Sequence, residues 1–271
     1  MRDGDNNIMK FNKPPVVEVW ISLDFEPNQQ KQQFDLELVK KYLEPFREEL
    51  PKGEVARERE FEIHTSSPND ESGTLQIRDR IQHFRQWDET RSHILQVGDD
   101  KLSFHVLKSA KETPSYGKAR QAAQPKLEAY VDVFQPSAIQ HATLHYLDII
   151  DIPLPDTGKI DLQDYFPYAS DLPELPFGTI SAFEQKFRIA CPVDDGPLFM
   201  RLQTTPAPEE LSVLRFRLEW HKQSSDVNTL VLDQVWKRMD IAHDYMRECF
   251  TTALSQTTLD LFDPINEEKN S

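Results

Sequence analysis

The chain has 271 residues, with 31 Lys+Arg against 46 Asp+Glu and a formal net charge of −15. At 38% apolar and 28% charged residues it has the composition of a folded globular protein, not of a disordered one. The charge repels polyanions and speaks against nucleic acid as a partner; no run approaches the ~20 apolar residues of a membrane helix; and the polar start MRDGDNNIMKFNK holds no apolar signal core, so a cytoplasmic protein without membrane contact is expected.

Residues 1–12 read as a flexible start. Pro14 and Pro15 fix an extended lead-in, because proline locks φ and pushes its predecessor toward the β region. Val17, Val19, Ile21, Leu23 and Phe25 then alternate with Glu18, Trp20, Ser22 and Asp24, a strand with one apolar face. FDLELVKKYLEPFREEL follows with helical spacing, and Pro45 predicts a kink or an early stop. REREFEIHT reads as a short strand, SSPNDESG as a turn, and TLQIRDRIQHFRQW as a longer strand. HILQV and KLSFHVL flank Gly98-Asp99-Asp100 as a hairpin. KARQAAQPKLEAYVDVF is expected to be a helix interrupted at Pro125, and IQHATLHYLDIIDIP a long strand ending at Pro153.

The second half resembles the first. FDLELVKKYLEPFREELP aligns with IDLQDYFPYASDLPELP, and Phe61-Glu62-Ile63 with Phe187-Arg188-Ile189 at the same offset. Gly73-Thr74-Leu75 aligns with Gly196-Pro197-Leu198 at a slightly shorter one. The closing helix carries Leu232, Val235, Trp236, Met239, Ala242, Met246 and Phe250 as one stripe. The expected fold class is α+β: two pseudo-repeats of strand, helix, antiparallel strands and long helix, docked into one unit. The repeats would span 13–137 and 138–262, with a flexible tail at 263–271.

Chemistry is harder to find. No phosphate-binding glycine loop, HExxH, GxSxG or CxxC is present, so no catalytic residue, metal site or cofactor is assigned. Cys191 and Cys249 are expected to be buried, inert thiols. His141 and His145 share a strand face about 13 Å apart, too far to hold one metal. Asp148 and Asp151 point to opposite faces of their strand and so form no acid–base dyad. Asp148 lies in an apolar run, where a carboxylate needs a partner, and is expected to be a structural hydrogen-bond acceptor; Glu18 beside Trp20 reads the same way. His243 with Asp240, Asp244 and Glu248 reads as a solvated helix edge. Arg78, Arg80, Arg201, Arg215 and Arg217 alternate with apolar strand residues. Cross-strand pairing with glutamates accounts for them, but with Trp20 and Trp220 they are also the candidate lining of a pocket for a small anionic ligand or nucleotide.

Three stretches resemble a sporadically distributed, uncharacterised bacterial protein family. PPVVE, with Pro14, Pro15 and Glu18, is similar to that family's opening motif. LQVGDDKLSFHVL is similar to its central strand pair, and HYLDIIDIP to a signature strand of the form Arg-Tyr-x-Asn-x-Ile-x-Ile-Pro. Tyr146 and Pro153 stand in place there, while His145 replaces the arginine and Asp148 the asparagine. AHDYMRECF resembles the closing helix, with His243 and Phe250 in place. The family has no assigned catalytic residue, and its patchy occurrence resembles that of defence or toxin–antitoxin genes. The acidic balance, the missing catalytic motifs and this patchy occurrence together lead to the expectation of a non-enzymatic binding protein: an adaptor, subunit or neutralising partner of another protein, with self-association left open. A sensor of a small anionic ligand is the alternative, and an enzyme without a recognisable motif is the third.

Overall fold

The computed structural model describes residues 10–28, 34, 36–64, 74–157, 160–169, 182–192, 196–224 and 227–265, with backbone alone over 57–64 and 74–82. The elements in chain order are β1 (Val16–Glu26), α1 (Leu36–Leu43), β2 (Lys52–His64), β3 (Thr74–Trp87), β4 (His93–Val97), β5 (Lys101–Leu107), α2 (Tyr116–Phe134), β6 (Ala138–Pro153), β7 (Glu184–Ile189), β8 (Leu198–Thr204), β9 (Val213–Ser224), α3 (Leu232–Ala253) and α4 (Gln256–Asp260). All nine strands join one sheet in the order β2-β3-β4-β5-β1-β6-β9-β8-β7. Every pairing is antiparallel. The fold is α+β, with β1 and β6 paired at the centre.

The alternation read in β1 sets the layering. Val19, Ile21, Leu23 and Phe25 are buried, and so are Phe104 and Val106 of β5 and Leu144 and Ile150 of β6 on the same side. Each such side chain stabilises the fold by about 1.5–3 kcal/mol. α2 lies across β1 and β5, α3 across β6 and β9, and α1 against α2. Tyr130 of α2 stacks on Phe25, with centroids 4.3 Å apart. These helices cover one face of the sheet and leave the other without a described helix.

Local chemistry explains most boundaries. α1 stops at Leu43 and passes into a 3-10 turn at Glu44–Phe46, with Pro45 in its first positions, the early stop that proline imposes. Ser115 caps α2 by accepting from the Lys118 N–H, and Gln135 ends it at φ 47°. Two expectations need correction. Pro125 does not interrupt α2, which runs through it on its exposed side; flanking turns packed on the sheet hold the helix together. The helix expected over 160–176 is only a 3-10 turn at Leu162–Asp164 among the described residues, and residues 170–176 lie outside them. The turn expected at SSPNDESG also lies outside the described residues.

Two lysines are buried. Lys126 of α2 donates to both Glu49 carboxylate oxygens at 2.8 and 2.9 Å and sits over the Phe46 and Phe104 rings. Lys222 of β9 donates to the carbonyls of Gly196 (2.7 Å) and Gln223 (3.1 Å). Gly196 has no room for a side chain, because a Cβ would stand 1.7 Å from the Gln223 carbonyl oxygen. No described helix is long and apolar enough to cross a membrane.

Candidate functional site

The pairing of β1 with β6 is irregular between Val16 and Glu18. Such a bulge bends the strand that carries it, and here it turns the Pro14-Pro15 lead-in over the helix side of β6. The Pro15 carbonyl is held by the Ile149 N–H at 3.0 Å. Phe11 is anchored by a bridge to Pro264 and by edge contact with the Phe262 ring, 5.5 Å away. From β6, Tyr146 and Asp148 project toward the helices, since residues two apart on a strand share a face. From α3, His243, Met246, Arg247 and Phe250 follow helical spacing and face them. These residues, with Trp220 of β9, enclose a cavity of about 150 Å³. Volumes of that order accept one benzene-sized ring.

Most polar groups around the cavity are already engaged. The Tyr146 hydroxyl and His243 Nδ1 are 2.8 Å apart. The Tyr116 ring stacks on His243 at 4.7 Å, and its hydroxyl donates to Asp240 at 2.8 Å. Arg120 donates to the same Asp240 oxygen at 2.6 Å, which ties α2 to α3. Arg247 is paired with Asp244 at 3.5 Å. Burial lowers the pKa of His243, so it is neutral at pH 7, and raises those of the Tyr146 and Tyr116 hydroxyls, so they keep their protons. His243 and Asp240 are thus half-buried against the cavity side, while Asp244 and Glu248 stay exposed, as read for that helix edge.

Asp148 is the exception. It is 4% exposed, and burial pushes its carboxyl up to about 7. The Trp220 indole lies near enough to restrain that rise, but its N–H makes no well-formed hydrogen bond. Apart from that indole, no described residue reaches the carboxylate with a hydrogen bond or an ion pair. The structural partner expected for Asp148 is reduced to the loose Trp220 indole contact, while Glu18 has a short one in His105 Nδ1 at 2.7 Å. What the cavity offers chemically is an apolar wall, one carboxyl poised between its two protonation states at neutral pH, and a fixed Tyr–His pair.

The open face of the sheet carries a different arrangement. Register sets Trp20 opposite His105 and His145, His145 opposite His221, and His221 opposite Phe199. The Trp20 ring is stacked between His105 (5.6 Å, 9°) and His145 (4.2 Å, 7°). His145 meets His221 at 4.7 Å, His221 meets Phe199 at 5.0 Å, and the Arg188 guanidinium lies over Phe199 at 6.0 Å. Burial, with help from His221 and His105, drives the pKa of His145 well down; burial also lowers that of His221.

The structure divides the sequence candidates between these two places. Pro14, Pro15, Tyr146, Asp148, Trp220, His243 and Phe250 meet around the cavity. Trp20, Glu18, Arg201, Arg215 and Arg217 lie on the open face, and Pro153 ends β6. The arginines are paired there: Arg215 with Asp151 at 2.6 Å, Arg201 with Glu184 at 2.5 Å, and Arg217 with Glu219 at 2.5 Å. Arg78 and Arg80 stand in β3 opposite Glu60 and Glu58, and their side chains lie outside the described residues. Cys191 and Cys249 are free and partly exposed, not buried, and burial raises the pKa of the Cys249 thiol. Among the described residues no group of three or more His, Cys, Asp or Glu side chains could hold a metal ion. Phe11, Val16 and Arg247 escaped the sequence reading. Arg247 carried the one available signal, one turn beyond His243 on the same helix face.

No family model matches the chain, and no curated protein matches it significantly.

Proposed function

We propose that this chain is a cytoplasmic binding protein that holds a small, ring-sized ligand in the cavity between the lead-in, β6, β9 and α3. One observation carries the reading. Three segments distant in sequence, Pro14–Val16, Tyr146–Asp148 and His243–Phe250, converge on one open, mostly apolar cavity. Among the described residues the lining is mostly apolar, and its Tyr146 and His243 are held to each other, which favours binding. Membership of the bacterial family whose motifs resemble this chain at Pro14, Pro15, Tyr146, His243 and Phe250, with Asp148 in place of the motif's asparagine, belongs to the same proposal. So does duplication. From the β1–β6 centre the sheet runs outward through β5 and β4 to the edge hairpin β2–β3 on one side, and through β9 to the edge hairpin β7–β8 on the other, so the first side carries one strand more. A long helix follows the inner strand on each side.

A thermal-shift screen of small ring-bearing molecules tests the reading. Ligand at 100 times its Kd adds about 2.7 kcal/mol, or about 5–10 °C for a domain of this size. Hits are expected to disappear in Val16→Phe, which fills the cavity. A flat screen, or hits that persist in a folded Val16→Phe variant, rejects the site.

A second reading, contact with a protein partner, is favoured by the open face with its mixed charges and its row of rings. Trp20 is stacked between His105 and His145, while His145 meets His221 and His221 meets Phe199 at 44° and 47°. Crosslinks from Lys101 and Lys186 to one recurring partner, lost in Trp20→Arg, support this contact. Crosslinks spread evenly over all lysines count against it.

A further inference from the structure

We infer that the cavity selects an organic cation: a ring-sized apolar body bearing a protonated amine or amidine that pairs with the Asp148 carboxylate. The inference rests on the cavity being a ligand site and names what it takes. Asp148 is buried, lines the cavity and receives no ion pair from a described residue and no well-formed hydrogen bond, only the loose contact of the Trp220 indole. A buried carboxylate without a partner is costly, and the cavity is the open space from which a partner can come. Facing Asp148, β6 contributes the Tyr146 hydroxyl, held by His243. β9 contributes the Trp220 indole, and the lead-in contributes two prolines and Val16. α3 contributes neutral His243 and Arg247, whose guanidinium is engaged by Asp244. Among the described residues no cation but Arg247 lines the cavity, and it is paired with Asp244, so the positive charge beside Asp148 is one the ligand would bring.

The alternatives fit less well. An anion would meet the carboxylate. A neutral apolar molecule would leave it unpaired and force it to take up a proton. A cation satisfies it and can also lie against the faces of Trp220 and Tyr146, which attract positive charge. The other walls, Phe11, Met246 and Phe250, suit the hydrocarbon body.

Calorimetric titration of the full chain with benzylamine, benzyl alcohol and benzoate tests this. At about pH 8 benzylamine is expected to bind at least tenfold more tightly than benzyl alcohol, and benzoate not measurably. Benzylamine binding should weaken about 30-fold between pH 8 and pH 5.5 as Asp148 protonates, and near neutral pH it should release protons, seen as a buffer-dependent heat. Asp148→Asn should erase the preference for the amine while still binding benzyl alcohol. The pH and buffer dependence of the unaltered protein needs no variant, so it stands even if Asp148→Asn misfolds. Benzyl alcohol or benzoate binding as well as benzylamine overturns the cation and leaves the cavity standing as a site. Failure of all three to bind overturns the cation and the cavity reading together.

Discussion

Replacing Asp148 by asparagine should stabilise the protein, and more so the higher the pH. The folded-state carboxyl titrates near 7 because it is fully buried; the unfolded chain titrates it near 3.8. Between those values the folded protein holds a proton that the unfolded chain has released. Stability from this group is therefore greatest in acid and is lost as pH rises through about 7. The full shift corresponds to roughly 4 kcal/mol, and about 3 kcal/mol of it falls between pH 4.5 and pH 8. Asparagine keeps the shape and removes the titration. The unfolding free energy of Asp148→Asn minus that of the unaltered protein should thus grow by about 3 kcal/mol across this range. The buried histidines act in the opposite sense, since their pKa values are lowered, but the difference between the two proteins cancels them. Urea unfolding at the two pH values reads it directly. Parallel pH profiles for the two proteins would refute the buried, partnerless carboxyl.

Other perturbations follow from the packing. Gly196→Ala forces a Cβ onto the Gln223 carbonyl and disturbs the Lys222 contacts, so thermal unfolding should show a loss of more than about 2 kcal/mol; an unchanged midpoint would contradict that close approach. Pro125→Ala restores a helix hydrogen bond on the exposed side of α2 and should add about 1–3 kcal/mol in the same assay. Glu49→Ala leaves Lys126 buried without its counter-ion and should cost about 2 kcal/mol, most of it recovered when Lys126→Met is added; a double variant no better than the single one speaks against an unpaired-charge origin. His145→Gln should flatten the stability lost on acidification below about pH 6.5, because a buried histidine with a lowered pKa must take up a proton to unfold.

The sequence carried the strands well because period-two alternation survives wherever one face is buried. β3, β4 and β5 coincide with the runs read for them. It carried helix interiors less well. Proline's local preference argued for a break at Pro125, yet α2 has Ala119, Ala123, Leu127 and Tyr130 on one buried face, and that packing outweighs one lost hydrogen bond. The candidate site was half legible. Tyr146, Asp148, His243 and Trp220 were singled out one by one, but their meeting depends on which strand lies beside which, and the order β1-β6-β9 is a long-range fact that no local pattern encodes. The Trp20–His105–His145–His221 row was hidden for the same reason. Each residue sits on the polar phase of its own strand, and only register sets the rings side by side.

On the proposed function this chain meets its ligand in the cavity, not on the open face. Nitrogen-15 labelling of its four tryptophans gives four indole N–H signals, one of them from Trp220 at the cavity and two from Trp20 and Trp87 on the open face. Addition of benzylamine should move the Trp220 signal, identified by its absence in Trp220→Phe, and leave those of Trp20 and Trp87 in place. Movement of Trp20 and Trp87 with Trp220 unmoved would contradict the account.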